Sequence, residues 1–168
     1  MNEPGKRCMF KITEVGGGEN LEAVRGLLEG YAGWLESEGY VFPEESEAFR
    51  EQLADLPGCF APPQGRLLIA TYRGQPAGCV ALRKISGDVC EMKRLYVASE
   101  FRGRKVGRKL AEAIIEQAGK IGYGRMRIHT VSSMKEAYGL YRSLGFAEIE
   151  PYEYSPYENV VFMELILK

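Results

Sequence analysis

Apolar positions along the chain recur at two different periods, and the changes between them lay out an alternation of strands and helices. Met9 to Thr13 reads as a first strand. Gly16-Gly17-Gly18 then breaks the chain, and Asn20 is placed to cap a helix whose Leu21, Val24, Leu27, Leu28, Tyr31 and Leu35 form one apolar stripe. A second helix is expected over Glu45 to Leu56, closed by Pro57-Gly58 and Pro62-Pro63. Arg66 to Tyr72 and Pro76 to Arg83 flank Arg73-Gly74-Gln75 as the arms of a hairpin, and the turn Ser86-Gly87-Asp88 leads into a strand from Val89 to Val97. A helix from Val106 to Ile121, a strand from Arg125 to Val131 and a helix from Met134 to Leu144, ended by Gly145, come next. Two last strands are expected around Ala147 to Tyr154 and Val160 to Leu167. Without linker or repeat, the pattern predicts one α/β domain over residues 1–168 with a mostly antiparallel sheet.

Composition agrees with one soluble domain: 168 residues, 45% hydrophobic and 27% charged. No run nears the ~18 apolar residues of a membrane helix and the N-terminus lacks an apolar signal core, so no membrane is expected and the chain reads as cytoplasmic. Cys8, Cys59, Cys79 and Cys90 are scattered with no C-x-x-C pair, which points to reduced, mostly buried thiols rather than a zinc site or a disulfide framework.

Charge is unevenly spread. The net charge is −1, yet Glu91 to Arg127 holds ten Lys or Arg against four Glu, a local excess of +6. Between Glu36 and Asp55, seven acids face the single Arg50. An anionic cofactor at the basic segment and a cationic substrate at the acidic one would suit this division, and the plainer reading of both is a solvated helix face.

The basic segment has its own logic. Val106, Leu110, Ala113, Ile114, Ala118 and Ile121 give the helix one face for the sheet, which fixes its first turn. In front of that turn Gly103 and Gly107 remove side chains, while Arg102, Arg104, Lys105 and Arg108 surround the free N–H groups with positive charge. A helix start of this kind is suited to a pyrophosphate.

F-R-G-R-K-V-G-R-K-L resembles the acyl-CoA signature R/Q-x-x-G-x-G/A of the GNAT superfamily of acetyl-CoA-dependent N-acetyltransferases, with Arg102 first, Gly107 last and Lys105 in place of the first motif glycine. C-E-M-K-R-L-Y-V resembles the family's central strand, and A-Y-G-L-Y-R-S-L-G-F resembles the helix and turn after the following strand. The resemblance covers about Phe10 to Leu167. T-V-S-S-M-K-E-A and P-Y-E-Y-S-P-Y-E-N-V-V-F-M-E-L look like a bacterial branch with small-molecule or unassigned substrates, although Met134 stands where many members have an Asn. It implies a GNAT-type, mixed and mostly antiparallel sheet of six to seven strands flanked by about four helices, with a splayed central strand pair.

It also implies roles. Acetyl-CoA would be the cosubstrate, its pyrophosphate on Arg102, Gly103, Arg104, Lys105, Val106, Gly107 and Arg108. Its pantetheine would pair with the backbone of Leu95, Tyr96 and Val97 as an added strand whose N–H groups polarise the thioester carbonyl. An alkylammonium must lose a proton before it attacks. Glu91, where several members carry a catalytic glutamate, is either that base or a structural acid paired with a nearby cation, and strand parity puts it on one face with Lys93, Leu95 and Val97. Tyr141, four residues before Gly145, matches the family's general acid for the CoA thiolate, with Tyr138 as its packing neighbour. Tyr31, Trp34, Tyr40 and Phe42 would wall the acceptor site.

His129, the sole histidine, lies within R-M-R-I-H-T-V and is expected to be a packed or hydrogen-bonded strand residue; without acids or thiols at ligand spacing it predicts no metal. Cys90 has nothing basic beside it to make it an acyl carrier, so direct transfer in a ternary complex is expected. The acceptor is then expected to be a small-molecule amine, a cationic one suiting the acidic segment, and the protein a monomer or homodimer. Rival readings are a protein N-acetyltransferase, a catalytically silent acyl-CoA sensor and a nucleic-acid module. The net charge and the absence of a recognisable RNA- or DNA-binding motif oppose the last.

Overall fold

A computed structural model describes residues 9–40, 43–155 and 157–167, excepting the side chains of 43–46. Seven strands form one sheet: β1 Phe10–Glu14, β2 Arg66–Tyr72, β3 Gln75–Ser86, β4 Val89–Val97, β5 Arg125–Val131, β6 Ala147–Ile149 and β7 Val160–Ile166. Their order is β1-β2-β3-β4-β5-β7-β6, and only β4 and β5 run parallel. Four helices, α1 Gly18–Ser37, α2 Pro43–Ala54, α3 Val106–Ile121 and α4 Lys135–Ser143, cover it. The mostly antiparallel sheet and its four helices match the expected fold class. No helix among the described residues is long and apolar enough to cross a membrane.

The sheet separates two apolar clusters. On one face Val106, Leu110, Ala111, Ile114 and Ala118 of α3 and Tyr141 of α4 pack on Leu68, Val80, Leu82, Cys90, Met92, Met126 and Ile128. On the other, Val24, Leu27 and Leu28 of α1 pack on Leu67, Ile69, Cys79 and Ala81. The stripe expected of α3 is the face it buries, with Ala113 and Ile121 at its margin.

Two expectations shift. The last strand pair is unequal: β6 stops at Ile149, and 150–155 continue as a loop whose Tyr152 hydroxyl reaches Glu91 of β4. Pro151 lacks the N–H a ladder needs, which is why a pattern that alternates well enough for a strand does not pair as one. Asn20 does not cap α1, which already begins at Gly18 behind Gly17.

The centre of the sheet opens. β4 pairs with β5 only at Val89–Arg125, Cys90–Met126 and Glu91–Arg127, while its other edge stays paired to β3 as far as Val97. From Met92 onward its β5-facing edge is left out of the sheet, giving the splayed central strand pair. Arg94 marks the change. It has φ +59, and the β3 register slips between Ala81–Lys93 and Cys79–Tyr96, so an extra residue bulges and bends β4 away from β5. The Cys79 thiol donates to the Arg94 carbonyl at 3.5 Å, and the Arg94 guanidinium donates to Gln52 of α2 at 2.8 Å while lying 4.6 Å from the Phe49 ring centre. Opposite the bent segment stands Gly78, where a Cβ would lie 2.6 Å from the Tyr96 carbonyl oxygen.

Candidate active site

A cavity of about 780 Å³ fills the opening. Met92 to Val97 line one side, Ile128 to Val131 the other, the loop before α3 closes one end, and Tyr31, Trp34, Leu35, Glu38 and Tyr40 from the end of α1 wall the mouth. Phe42, expected with these aromatics, lies outside the described residues. Of the acidic segment only Glu38 lines the cavity among the described side chains; Glu36, Glu47, Glu51 and Asp55 face solvent, as the plainer reading of that charge run held.

The loop end gathers most of the residues expected there. Arg102, Gly103, Lys105, Val106 and Gly107 line the cavity. Arg102 donates from Nε to the Val97 carbonyl at 3.3 Å and lies 5.0 Å from the Trp34 ring centre. Lys105 is the residue before α3 and sits at φ +62, ψ 22, the left-handed conformation of the glycine it replaces. The amides of Val106, Gly107 and Arg108 open a helix and have no carbonyl four residues back to bond within it. Arg104 and Arg108, expected with them, turn elsewhere: Arg104 covers the rings of Tyr72 and Phe101, and Arg108 pairs with Glu112 at 3.0 Å and donates to the Ser143 hydroxyl. Stacking partners hold the Arg104 guanidinium and ionic and hydroxyl partners that of Arg108. Leu95, Tyr96 and Val97 line the opened edge of β4 as expected.

The bulge at Arg94 corrects the parity argument for Glu91. Adding one residue inverts the alternation, so Leu95 and Val97 join Cys90 and Met92 on the α3 face, whereas Glu91 and Lys93 lie on the opposite face with Tyr96. Glu91 is fully buried and is not on the cavity wall. Its Oε1 accepts from Arg83 Nε at 2.8 Å, with Arg83 Nη2 at 2.8 Å and Lys93 Nζ at 3.6 Å, and its Oε2 accepts from the Tyr152 hydroxyl at 2.7 Å. Burial by itself would raise its pKa, but Lys93, the Tyr152 hydroxyl and Arg83 together hold it below the usual carboxylate value. Both carboxylate oxygens are thus engaged, one by Arg83 and Lys93 and the other by Tyr152. Burial also lowers the Lys93 pKa, and Lys93 does line the cavity.

Tyr141 reaches the cavity from α4 with only 9% of its surface exposed, and burial raises its pKa. Its hydroxyl therefore stays protonated at neutral pH. Tyr138 packs at the edge of the same cluster and donates to Glu148 at 2.5 Å. Cys90 is buried with its thiol pushed up to about 12 by burial, which removes it as a nucleophile. Cys79 is buried too and Cys59 is exposed, while Cys8 lies outside the described residues.

The structure adds Glu153 to the cavity wall and places Lys93 and His129 there too, His129 as the packed strand residue expected. His129 lies on the cavity wall, its side chain 31% exposed, its ring 5.8 Å from that of Phe162 and its Nε2 3.3 Å from Oε1 of Glu153. Glu153 comes from the loop after β6, and Lys93 sits across the opening. The strand period did carry one signal: His129 alternates with the buried Met126, Ile128 and Thr130, so it had to face the other way. Glu91, His129 and Glu153 bring potential ligand atoms within 4.8 Å of one another. Arg83 and Lys93 already neutralise Glu91 there, so a metal ion would have to displace two cations.

Residues 30–146 match the acetyltransferase (GNAT) family. An uncharacterized N-acetyltransferase of Schizosaccharomyces pombe is 42% identical over 117 residues, 68% of this chain and 72% of that protein. The IAA acetyltransferase of Azospirillum brasilense is 33% identical over 85% of this chain and 90% of its own length. In fold, the chain resembles the PaiA N-acetyltransferase from Thermoplasma acidophilum in complex with coenzyme A, with TM-score 0.74 at 20% identity over 94% of this chain and 98% of that one. With the splayed sheet and the basic turn before α3, the match over more than half its length shows that this chain belongs to the GNAT family and is an acetyl-CoA-dependent N-acetyltransferase.

Proposed function

We propose that the chain transfers the acetyl group of acetyl-CoA to the amino group of a small molecule, by direct attack within a ternary complex. The observation that carries this is the continuous cavity from the basic turn, past the open edge of β4, to the aromatic mouth beside α1. In this reading the first-turn amides of α3, with Arg102 and Lys105, hold the pyrophosphate, and the Leu95–Val97 backbone receives the pantetheine as an added strand. Free N–H groups on that edge stabilise the oxyanion as the amine nitrogen bonds to the thioester carbon. The C–S bond then breaks, and Tyr141 gives its proton to the departing thiolate.

A small acceptor is favoured over a polypeptide by a contact at the mouth. The Tyr40 hydroxyl and Ser133 hydroxyl lie 2.6 Å apart, tying the end of α1 to the turn between β5 and α4. Both residues line the cavity, so the tie narrows the passage a protein chain would have to enter. Glu38 and Glu153 supply negative charge for an ammonium, and Trp34, Tyr31 and Leu35 contact for an apolar portion. Purified protein should release CoA from acetyl-CoA when given tyramine, spermidine or amino-acid amides. Release only with peptide N-termini would replace this reading with protein acetylation, and acetyl-CoA binding without release to any amine would make the chain a sensor.

A further inference from the structure

The attacking nitrogen needs a proton acceptor, and the motif-matched Glu91 is poorly placed to be one. Both of its oxygens are engaged, it is fully buried, and it lies behind the cavity wall. The same face of the sheet carries another pair that does reach the cavity. We propose that His129 is the catalytic base of this transferase, with Glu153 as the residue that positions its ring and holds the imidazolium once it forms. This rests on the acetyl-transfer reading above.

Position supports it first. His129 stands on β5 across the opening from the bent part of β4, where the thioester would lie, and Tyr141 reaches the same cavity from α4. A base and an acid from opposite faces of the sheet thus meet in one opening. The ring is held by Phe162 and by Glu153, whose Oε1 is 3.3 Å from Nε2. An imidazole ordinarily titrates near neutrality, which suits a base that must be unprotonated in the resting enzyme yet strong enough to take a proton from an ammonium.

Charged groups surround the ring on several elements. Glu91 on β4 and Glu153 on the loop face the imidazole within 4.8 Å. Lys93 on β4 and Arg83 on β3 are bound to Glu91, and Arg127, on β5 itself, is bound to Glu164 of β7 at 2.8 Å and covers the Tyr152 ring. Lys93 and Arg83 thus share Glu91 as their carboxylate, and Glu153 is the carboxylate in direct contact with the ring. Protons balance as follows: the ammonium gives one to His129, the neutral amine forms the C–N bond, the N–H proton of the intermediate replaces the one Tyr141 gives the thiolate, and the imidazolium releases its proton to water.

The test uses the full chain with tyramine, spermidine and amino-acid amides as acceptors. His129→Gln should lower kcat/KM about 100-fold and abolish its acidic limb, with acetyl-CoA Kd unchanged. Glu153→Gln should lower kcat/KM about 10-fold and move the acidic limb to lower pH, because the imidazolium loses its partner. As the sole histidine, His129 gives one imidazole signal by NMR, and its titration midpoint should fall in Glu153→Gln. A His129→Gln enzyme with full kcat/KM and an unchanged acidic limb would overturn the proposal. If the wild type acetylates none of the amines, the small-amine reading fails, and the titration decides the pair: a midpoint unmoved by Glu153→Gln overturns it.

Discussion

Replacing Lys105 separates what its backbone does from what its ammonium does. The residue sits at φ +62, ψ 22 immediately before α3, a conformation that costs an L-residue about 1–2 kcal/mol. Glycine removes that cost and adds about 0.5–1 kcal/mol of backbone entropy lost on folding. Lys105→Gly should therefore stabilise the protein by up to about 1 kcal/mol, a rise in Tm of about 2–4 °C for a chain of this length. Lys105→Ala keeps a Cβ in the same conformation and should leave Tm almost unchanged. Both variants lose the ammonium. If the first-turn amides of α3 carry most of the pyrophosphate, its loss at an exposed site should raise the Kd for CoA only about 2- to 10-fold, or about 0.4–1.4 kcal/mol, and equally in the two. Thermal unfolding gives the first quantity and titration calorimetry with CoA the second. A glycine variant that melts below the alanine one would refute the strain argument. A 100-fold loss of CoA affinity in both would assign the pyrophosphate to the side chain rather than to the amides.

Three further outcomes are expected. Glu91→Gln should cost about 3 kcal/mol at pH 7 in urea denaturation, because Arg83 and Lys93 lose their buried partner. Since the folded pKa of Glu91 lies below its unfolded value, this stabilisation is complete above about pH 5 and fades as pH falls through the folded value, so the difference between wild type and variant should shrink in acid. Tyr141→Phe should lower kcat about 100-fold with little change in acetyl-CoA Kd, and no basic limb below about pH 10 should be traceable to this hydroxyl; full activity would remove it as the acid. Gly78→Ala should cost about 1–3 kcal/mol and weaken acetyl-CoA binding together, because the new Cβ would meet the Tyr96 carbonyl at 2.6 Å and Leu110 Cδ1 at 3.0 Å and push the bent edge of β4. Loss of stability with unaltered binding would show that this edge does not receive the cofactor.

The sequence by itself determined the element order, because each element rests on local information. The stripe of α3, the turn at Arg73-Gly74 and the glycine after α4 specify their segments without reference to distant residues. The basic turn was legible for the same reason, since its chemistry needs only a strand end, a helix start and the cations between them. Tertiary structure decided the rest. The bulge at Arg94 depends on Gly78 of β3 and on Gln52 and Phe49 of α2, so no period within β4 could announce that Glu91 and Leu95 face opposite ways. Whether Glu91 was base or structural acid turned on Arg83, Lys93 and Tyr152, which converge from two strands and a loop. The pairing of His129 with Glu153, 24 positions apart in the chain, exists because the loop after β6 brings Tyr152 and Glu153 against β5. Local periodicity fixes which elements form, whereas the protonation and partners of a buried side chain depend on charges that only long-range packing brings within a few ångströms.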